Sequence, residues 1–315
     1  YALGNLILAS DFVEASWPLA PPQAPAHATL TLAAVPARSP EANYLGDLAT
    51  FTAAGQDNSC HADAHATWFD IAGLGRFWIA AGRDIIVEPD PQAAADTLQS
   101  FVTQACLPTL LLQRGCLVLH AGGLRVGQGA VLLLGDSGAG KSSLTAALAL
   151  AGQPLISDDV CLLHREPWRV FATIPRLRLL PEAFKHLQAK APAGEADKLY
   201  YDKLKAEAPQ LAPWVESPLT DIISLAWGEN LSLTPLTGAE RLRAVLNAAA
   251  WVGVNASVDK SQRHFAACAA LVREVPVWRL TRPRDWSMMP QVVSHILAQL
   301  SGRAEALAVD LSSRA

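Results

Sequence analysis

The sequence predicts an α/β protein in which a β-rich N-terminal region, residues 1–113, precedes an α/β domain, residues 114–315. Short segments that alternate apolar and polar residues dominate roughly the first 90 residues, which is typical of half-buried strands. A helical pattern then ends at Gly115. Beyond it, compact apolar strands surround a glycine-rich loop and a helix rich in alanine and leucine. Hydrophobic residues make up 51% of the 315, enough for a sizeable core.

The N-terminal region shows strand patterns separated by glycine turns. We expect strands at residues 5–9, 28–35, 67–71, 76–81 and 84–87. Apolar residues at helical spacing predict a helix over residues 91–114. Pro108 kinks or splits this helix, because proline lacks a backbone N–H.

Composition and cysteine usage narrow the function classes. The net charge is −4 and charged residues make up 17%, which disfavours a nucleic-acid binder. Apolar runs stay far below the ~18 residues of a membrane span, so no membrane partner is expected. Five scattered cysteines without a C-x-x-C pair favour reduced thiols in a cytoplasmic protein. Cys60, His61 and His65 are expected in a polar loop rather than a metal site, because no second Cys/His pair follows.

The strongest motif is a match to G-x-x-x-x-G-K-[ST], the Walker A pattern. It comprises Gly135, Asp136, Ser137, Gly138, Ala139, Gly140, Lys141 and Ser142, with Ser143 following. An apolar strand precedes it and a helix follows, the context in which this pattern binds nucleotide phosphates. We expect Lys141 to reach the β- and γ-phosphates and Ser142 to bind Mg²⁺. The alternative is a glycine-rich turn between a strand and a helix.

Two adjacent acids, Asp158 and Asp159, follow Lys141 by 17 and 18 residues. A right-handed crossover would make their strand, residues 155–157, parallel to the strand that leads into the loop. One carboxylate could then hold Mg²⁺ and the other accept a proton from an incoming hydroxyl. The alternative is an Asx turn after a strand.

His120 ends a predicted strand, residues 116–119, which we expect to pair with the strand before the loop. Taken alone, it favours an ordinary, partly buried histidine. Several cations could neutralise phosphate or bind a substrate, with solvated surface charge as the alternative for each. These are Arg176, Arg178, Lys198, Lys203 and Lys205.

Together, His120, the loop at 135–143 and the acid pair resemble the HPr kinase/phosphorylase family over about residues 114–163. The resemblance implies a P-loop kinase domain of the HPr kinase/PEP carboxykinase type with a mixed sheet. It further implies transfer from ATP to a serine hydroxyl, with Asp158 as base and Asp159 beside Ser142 at Mg²⁺. His120 and Lys141 would lie near the reacting groups. The chain shows no good counterpart of the family's C-terminal signature.

Residues 112–121, 174–180 and 276–285 resemble, more loosely, the HPr-kinase-related group that includes lasso-peptide kinases. This likeness implies a peptide or protein bearing a serine as partner, with a ribosomal precursor peptide as one candidate. The sequence thus predicts an ATP- and Mg²⁺-dependent serine kinase and leaves a homo-oligomer open. A small-molecule or carboxykinase-like phosphotransferase and a nucleotide-dependent binding module remain as alternatives.

Overall fold

The chain divides into two compact units in a computed structural model. The first unit holds Tyr1–Leu119, Leu162–Arg165 and Ala249–Cys268, and the second holds the remainder. The structure describes residues 1–3, 6–12, 19–46, 58–165, 167–171, 177–191, 199–200, 203–212, 216–249 and 258–300.

An eight-stranded mixed sheet dominates the first unit. Its strands are β1 (Ala2–Leu3), β2 (Leu6–Ser10), β3 (Ala28–Leu32), β4 (Asn43–Gly46), β5 (Ser59–Ala62), β6 (Ala66–Ile71), β7 (Gly75–Ala80) and β8 (Asp84–Pro89). They lie in the order β1-β2-β3-β8-β7-β6-β5-β4. Pairs β2–β3 and β3–β8 are parallel, and the other pairs are antiparallel. All five predicted strands are confirmed, with small shifts at their ends.

The predicted helix of the first unit is split into two α-helices just before Pro108. It comprises α1 (Ala95–Phe101), a π-helical turn (Val102–Cys106) and α2 (Leu107–Gln113). Pro108 lies in the first turn of α2, where its missing N–H is tolerated. Phe101 packs its ring against Phe69 and Phe77, with ring centroids 5.5 and 4.5 Å apart, and so anchors the helix to the core of this unit.

Within the described ranges, the remaining elements include twelve strands, which form a nine-stranded and a three-stranded sheet, and five α-helices. The strands are β9 (Leu117–His120), β10 (Gly122–Val126), β11 (Gly129–Leu134), β12 (Leu155–Ser157), β13 (Val160–His164), β14 (Arg169–Phe171), β15 (Leu177–Leu179), β16 (Leu199–Tyr200), β17 (Lys203–Ala206), β18 (Ser217–Trp227), β19 (Ser232–Pro235) and β20 (Val277–Arg282). The helices are α3 (Lys141–Leu150), α4 (Pro181–His186), α5 (Gly238–Ala248), α6 (Val258–Glu274) and α7 (289–300).

The second unit is built on a mixed sheet that contains the order β12-β10-β11-β18-β20-β19. Strands β11, β18 and β20 are parallel, so their carboxyl ends meet at one edge. Strand β10 is antiparallel to both β11 and β12, which makes β12 parallel to β11. The predicted direction of the strand before the acid pair is therefore confirmed. The predicted α/β class and mixed sheet are also confirmed.

The partner of strand β11 differs from the prediction. The strand that ends at His120 does not pair with it; β10 does, with Gly122 opposite Leu133. Two leading glycines hid this strand, because glycine is depleted from strands. A Cβ at Gly122 would lie 1.9 Å from Thr145 Oγ1 of α3, so the helix packs directly on the bare backbone.

One expected loop is wrong in its described part. Cys60 and His61 lie in β5, not in a polar loop, and the residues that the structure describes contain no cluster of His, Cys, Asp or Glu suited to a metal ion. Lys203 and Lys205, among the candidate cations, lie on β17.

No helix in the described ranges is both long and apolar enough to cross a membrane.

Candidate functional site

The glycine-rich loop joins β11 to α3 at the carboxyl edge of the parallel strands. Its three glycines have φ of 158°, 79° and 80° at Gly135, Gly138 and Gly140, which non-glycine residues rarely adopt. Gly140 is the residue before the first turn of α3. A strand, a loop of left-handed glycines and a helix N-terminus therefore follow one another, the local arrangement that the motif predicts.

Lys141 folds its side chain back over this loop. Its Nζ lies 2.5 Å from the Gly135 carbonyl oxygen and 3.3 Å from that of Asp136, and the residue is 8% exposed. Burial lowers the pKa of Lys141, while the nearby Asp159 carboxylate opposes that change. The ammonium is thus held at the loop by two carbonyl groups, while the Asp159 carboxylate interacts with its charge from nearby.

Asp158 lies between a strand backbone and the start of α3. It accepts hydrogen bonds from the Arg178 N–H at 3.2 Å and from the Ser142 hydroxyl. Burial, followed by the charge of Asp159, raises the pKa of Asp158 to about 6. The predicted Mg²⁺ ligand Ser142 and the predicted base Asp158 are therefore in direct contact.

Asp159 has an unusual backbone, with φ of 93° in a non-glycine residue. Such strain persists where the surrounding structure fixes it, and it concentrates at functional sites. Here the fixing contact is His120, whose Nδ1 lies 2.9 Å from the Asp159 carbonyl oxygen and 3.1 Å from Oδ1. Both neighbours are acceptors, so Nδ1 carries the hydrogen. Burial acts to raise the pKa of Asp159, but His120, Lys203 and Arg178 outweigh it and hold that pKa below the usual value.

Trp227 and Arg282 support the loop from the ends of β18 and β20, where they are register partners. Trp227 Nε1 donates to the Gly138 carbonyl at 3.3 Å, and Arg282 Nη2 donates to the Ala139 carbonyl at 2.9 Å. The guanidinium carbon lies 4.2 Å from the centroid of the Trp227 ring. Sequence reasoning missed both residues. The pattern that could have found them is that three apolar parallel strands end at the same edge of the sheet, where binding sites form.

These groups line one cavity of about 510 Å³ in the second unit. Most of the predicted loop residues contribute to its wall: Asp136, Ser137, Gly138, Gly140, Lys141, Ser142 and Ser143. His120, Asp159, Arg178, Lys203, Trp227 and Arg282 also line it. Asp158 is not among the lining residues, but its carboxylate contacts Ser142, which is. Arg176 and Lys198 fall outside the described residues.

The donor set fits Mg²⁺ bound together with a nucleotide. Mg²⁺ prefers oxygen ligands and usually takes one or two carboxylates, keeping its other positions for water and substrate phosphates. The Ser142 hydroxyl and the Asp159 carboxylate line the same cavity, and both are hard oxygen donors.

Comparison with known proteins gives a distant structural likeness. No protein-family model and no curated protein matches the sequence. The chain is similar to a solved structure of the Hpr(Ser) kinase/phosphatase from Coxiella burnetii, with 15% sequence identity and a TM-score of 0.33. The match covers 61% of this chain and 97% of that one.

Proposed function

We propose that the chain is a kinase that transfers the γ-phosphoryl group of ATP to a serine hydroxyl of a peptide or protein. One observation carries the proposal: a Walker A loop, its lysine, a serine hydroxyl and a strained aspartate meet in a single cavity. Loop amides and Lys141 would bind the β- and γ-phosphates. Trp227 and Arg282 would hold the loop in shape through their hydrogen bonds to its carbonyl groups.

In this mechanism Asp158 accepts the proton of the incoming serine hydroxyl. The serine oxygen forms a bond to the γ-phosphorus, the bond between that phosphorus and the β–γ bridging oxygen breaks, and ADP leaves with the bridging oxygen. His120 donates from Nδ1 to Asp159 and so fixes that carboxylate toward the cavity. Mg²⁺, held by Ser142 and Asp159, would supply charge neutralisation on the phosphates.

The test is phosphate transfer from labelled ATP–Mg²⁺ to a library of serine-containing peptides, with mass spectrometry to locate the phosphate. Replacement of the acceptor serine by alanine in each positive peptide is the control. Asp158→Asn should lower kcat about 100- to 10,000-fold and leave ATP affinity nearly unchanged, because it removes only proton acceptance. Full activity in Asp158→Asn would exclude the residue as the base.

A matched variant separates the two acids. Asp159→Asn should raise the Mg²⁺ concentration needed for half-maximal activity, whereas Asp158→Asn should not. If the two variants show the reverse pattern, their roles are exchanged: Asp158, beside Ser142, would then hold the ion and Asp159, beside His120, would be the base.

Two other outcomes would replace this proposal. Phosphorylation of a metabolite pool with no labelled peptide would indicate a small-molecule or carboxykinase-like phosphotransferase. ATP binding without transfer to any acceptor would indicate a nucleotide-dependent binding module. The serine kinase is preferred because a binding module has no need of two adjacent carboxylates beside the phosphate loop. The lasso-type precursor peptide is proposed from sequence resemblance, and such peptides belong in the library.

A further inference from the structure

Arg282 is a charged side chain with almost no access to solvent. It is 2% exposed, and its single hydrogen bond among the described residues goes to the Ala139 carbonyl. Within the part of the chain that the structure describes, Nη1 has no hydrogen-bond partner and no carboxylate forms an ion pair with Arg282. Burial lowers the pKa of Arg282 to about 10, which still leaves the guanidinium charged at neutral pH.

A buried cation without a counter-charge destabilises a fold, because desolvation is not balanced by an ion pair. An apolar side chain of similar volume would pack at this position without that cost. The retained arginine therefore suggests a role that appears only when something else is bound. The nearest opening is the cavity that contains the glycine-rich loop, which Arg282 helps to line.

The contact with Ala139 fixes the direction of one loop amide. The peptide group is planar and trans, so the carbonyl of Ala139 and the N–H of Gly140 point in opposite directions. Because Arg282 binds that carbonyl, the Gly140 N–H must point away from the guanidinium. The approach is close: a Cβ at Gly140 would lie 2.6 Å from Arg282 Nη2 and 3.3 Å from the Trp227 ring.

We propose that Arg282 is a positioning residue for phosphate binding. It orients the amide between Ala139 and Gly140 for an anion, and its charge is compensated when a di- or triphosphate enters the cavity. This inference rests on the proposed function, since it requires phosphate at the loop. It adds a residue 143 positions from Ala139 in the chain, and the effect of that residue is on affinity rather than on folding.

The experiment compares Arg282→Met and Arg282→Lys with the unaltered chain. Titration calorimetry with Mg²⁺–ADP and with Mg²⁺–pyrophosphate measures affinity, and thermal unfolding without ligand measures stability. Arg282→Met should raise both dissociation constants at least tenfold, while the unliganded melting temperature stays equal or rises. Arg282→Lys should recover part of the affinity, because it restores charge but not the planar fork.

The matched control is Arg279→Met on the same strand. Arg279 is about half exposed, pairs with Glu240 at 3.7 Å and lies outside the cavity wall, so its loss should change neither affinity by more than twofold. The inference is overturned if Arg282→Met binds both probes within twofold of the unaltered chain. It is equally overturned if Arg282→Met and Arg282→Lys unfold at lower temperature and keep the affinity, since Arg282 is then a packing residue.

The two proposals fail in different ways. If the unaltered chain binds neither Mg²⁺–ADP nor Mg²⁺–pyrophosphate, the kinase proposal fails and this inference fails with it. If the unaltered chain binds both probes and the Arg282 variants bind them equally well, the kinase proposal stands and only the role of Arg282 is lost.

Discussion

Charged side chains have different hydrogen-bond partners in the two units. On the sheet of the first unit, Asp70 accepts from Arg38 and Arg76, and Arg76 also contacts Glu88 at 3.4 Å. These groups are partly exposed and pair with opposite charges. In the second unit, Lys141 and Arg282 are buried and donate to backbone carbonyls. Among the described residues, neither forms an ion pair with a carboxylate.

The first unit pairs its exposed charges with each other, whereas the second unit keeps two buried cations bonded to backbone carbonyls. A network of exposed ion pairs is already satisfied and contributes little to stability. Buried cations at carbonyls, beside a strained aspartate, violate the local rules that most of the fold obeys. Such violations are expected where binding or catalysis takes place. Substitutions in the two networks should therefore affect different quantities.

Among the substitutions that test this contrast, the largest effect is expected for Lys141→Met in the cavity. Loss of the ammonium should lower kcat/KM for ATP about 100- to 1000-fold, the usual consequence of removing a group that stabilises transferred charge. The fold should survive, because methionine fills similar volume without a buried charge. Steady-state kinetics measure the loss, and circular dichroism checks the fold. Near-normal turnover in a folded variant would contradict the proposed site.

Two glycine substitutions come next, because both residues have positive φ but only one lies in the loop. Gly140→Ala combines left-handed strain with a close approach to Arg282, so ATP affinity should fall at least tenfold. Gly73→Ala, in a turn of the first unit, introduces the same kind of strain with no heavy atom within 4 Å. It should cost about 1 kcal/mol of stability and leave ATP affinity unchanged.

Both stability and affinity should be measured for each glycine variant. Chemical denaturation gives the free energy of unfolding, and calorimetry with Mg²⁺–ADP gives the dissociation constant. Equal losses of affinity in the two variants would mean that the close contact at Gly140 has no special importance.

Trp227→Phe should have a moderate effect. Phenylalanine keeps a ring beside Arg282 but removes the Nε1 donor to the Gly138 carbonyl. Loss of one such hydrogen bond, about 1 kcal/mol, corresponds to a roughly fivefold rise in KM for ATP, with a smaller change in kcat. Initial-rate measurements over a range of ATP concentrations provide the test. A fall in kcat at constant KM would place Trp227 closer to the acceptor than to the loop.

The smallest effect is expected for Asp70→Asn in the first unit. Removing a partly exposed carboxylate between two arginines should cost less than about 1 kcal/mol of unfolding free energy and leave transfer activity unchanged. Urea denaturation and the peptide assay measure the two quantities. A clear loss of activity would show that this network also affects catalysis and would remove the contrast between the sheets.

Local pattern predicted much of the fold. Alternation of apolar and polar residues located β6, β7 and β8, and the apolar run before the loop located β11. Strand β5 was missed, because its sequence, SCHA, is polar and lacks a β-branched residue. Strand β10 was missed because it begins with two glycines, whose presence reflects the contact of Gly122 with Thr145.

The same limit applies to the site. The loop and the acid pair could be found because each has a recognisable local sequence. Arg282 could not, since its partner Ala139 lies 143 positions away and nothing in its neighbours marks it as buried. Nor could the contact of Asp158 with Ser142, or the strain at Asp159, be derived from spacing. Both lie where β11 and β12, which are parallel, end at the same edge of the sheet.

The absent side chain at Gly122 sets how closely the helix that begins with Lys141 approaches the sheet. Thr145 of α3 packs directly on the backbone of Gly122. Because glycine carries only a hydrogen atom there, the helix lies closer to the sheet than any side chain would allow. Strand β10 lies between β11, which leads to the loop, and β12, which leads to the acids. A methyl group added at Gly122 would push α3 away from the sheet and move Lys141 away from the two aspartates. In the proposed kinase, a residue outside the cavity wall would therefore set the spacing of the site.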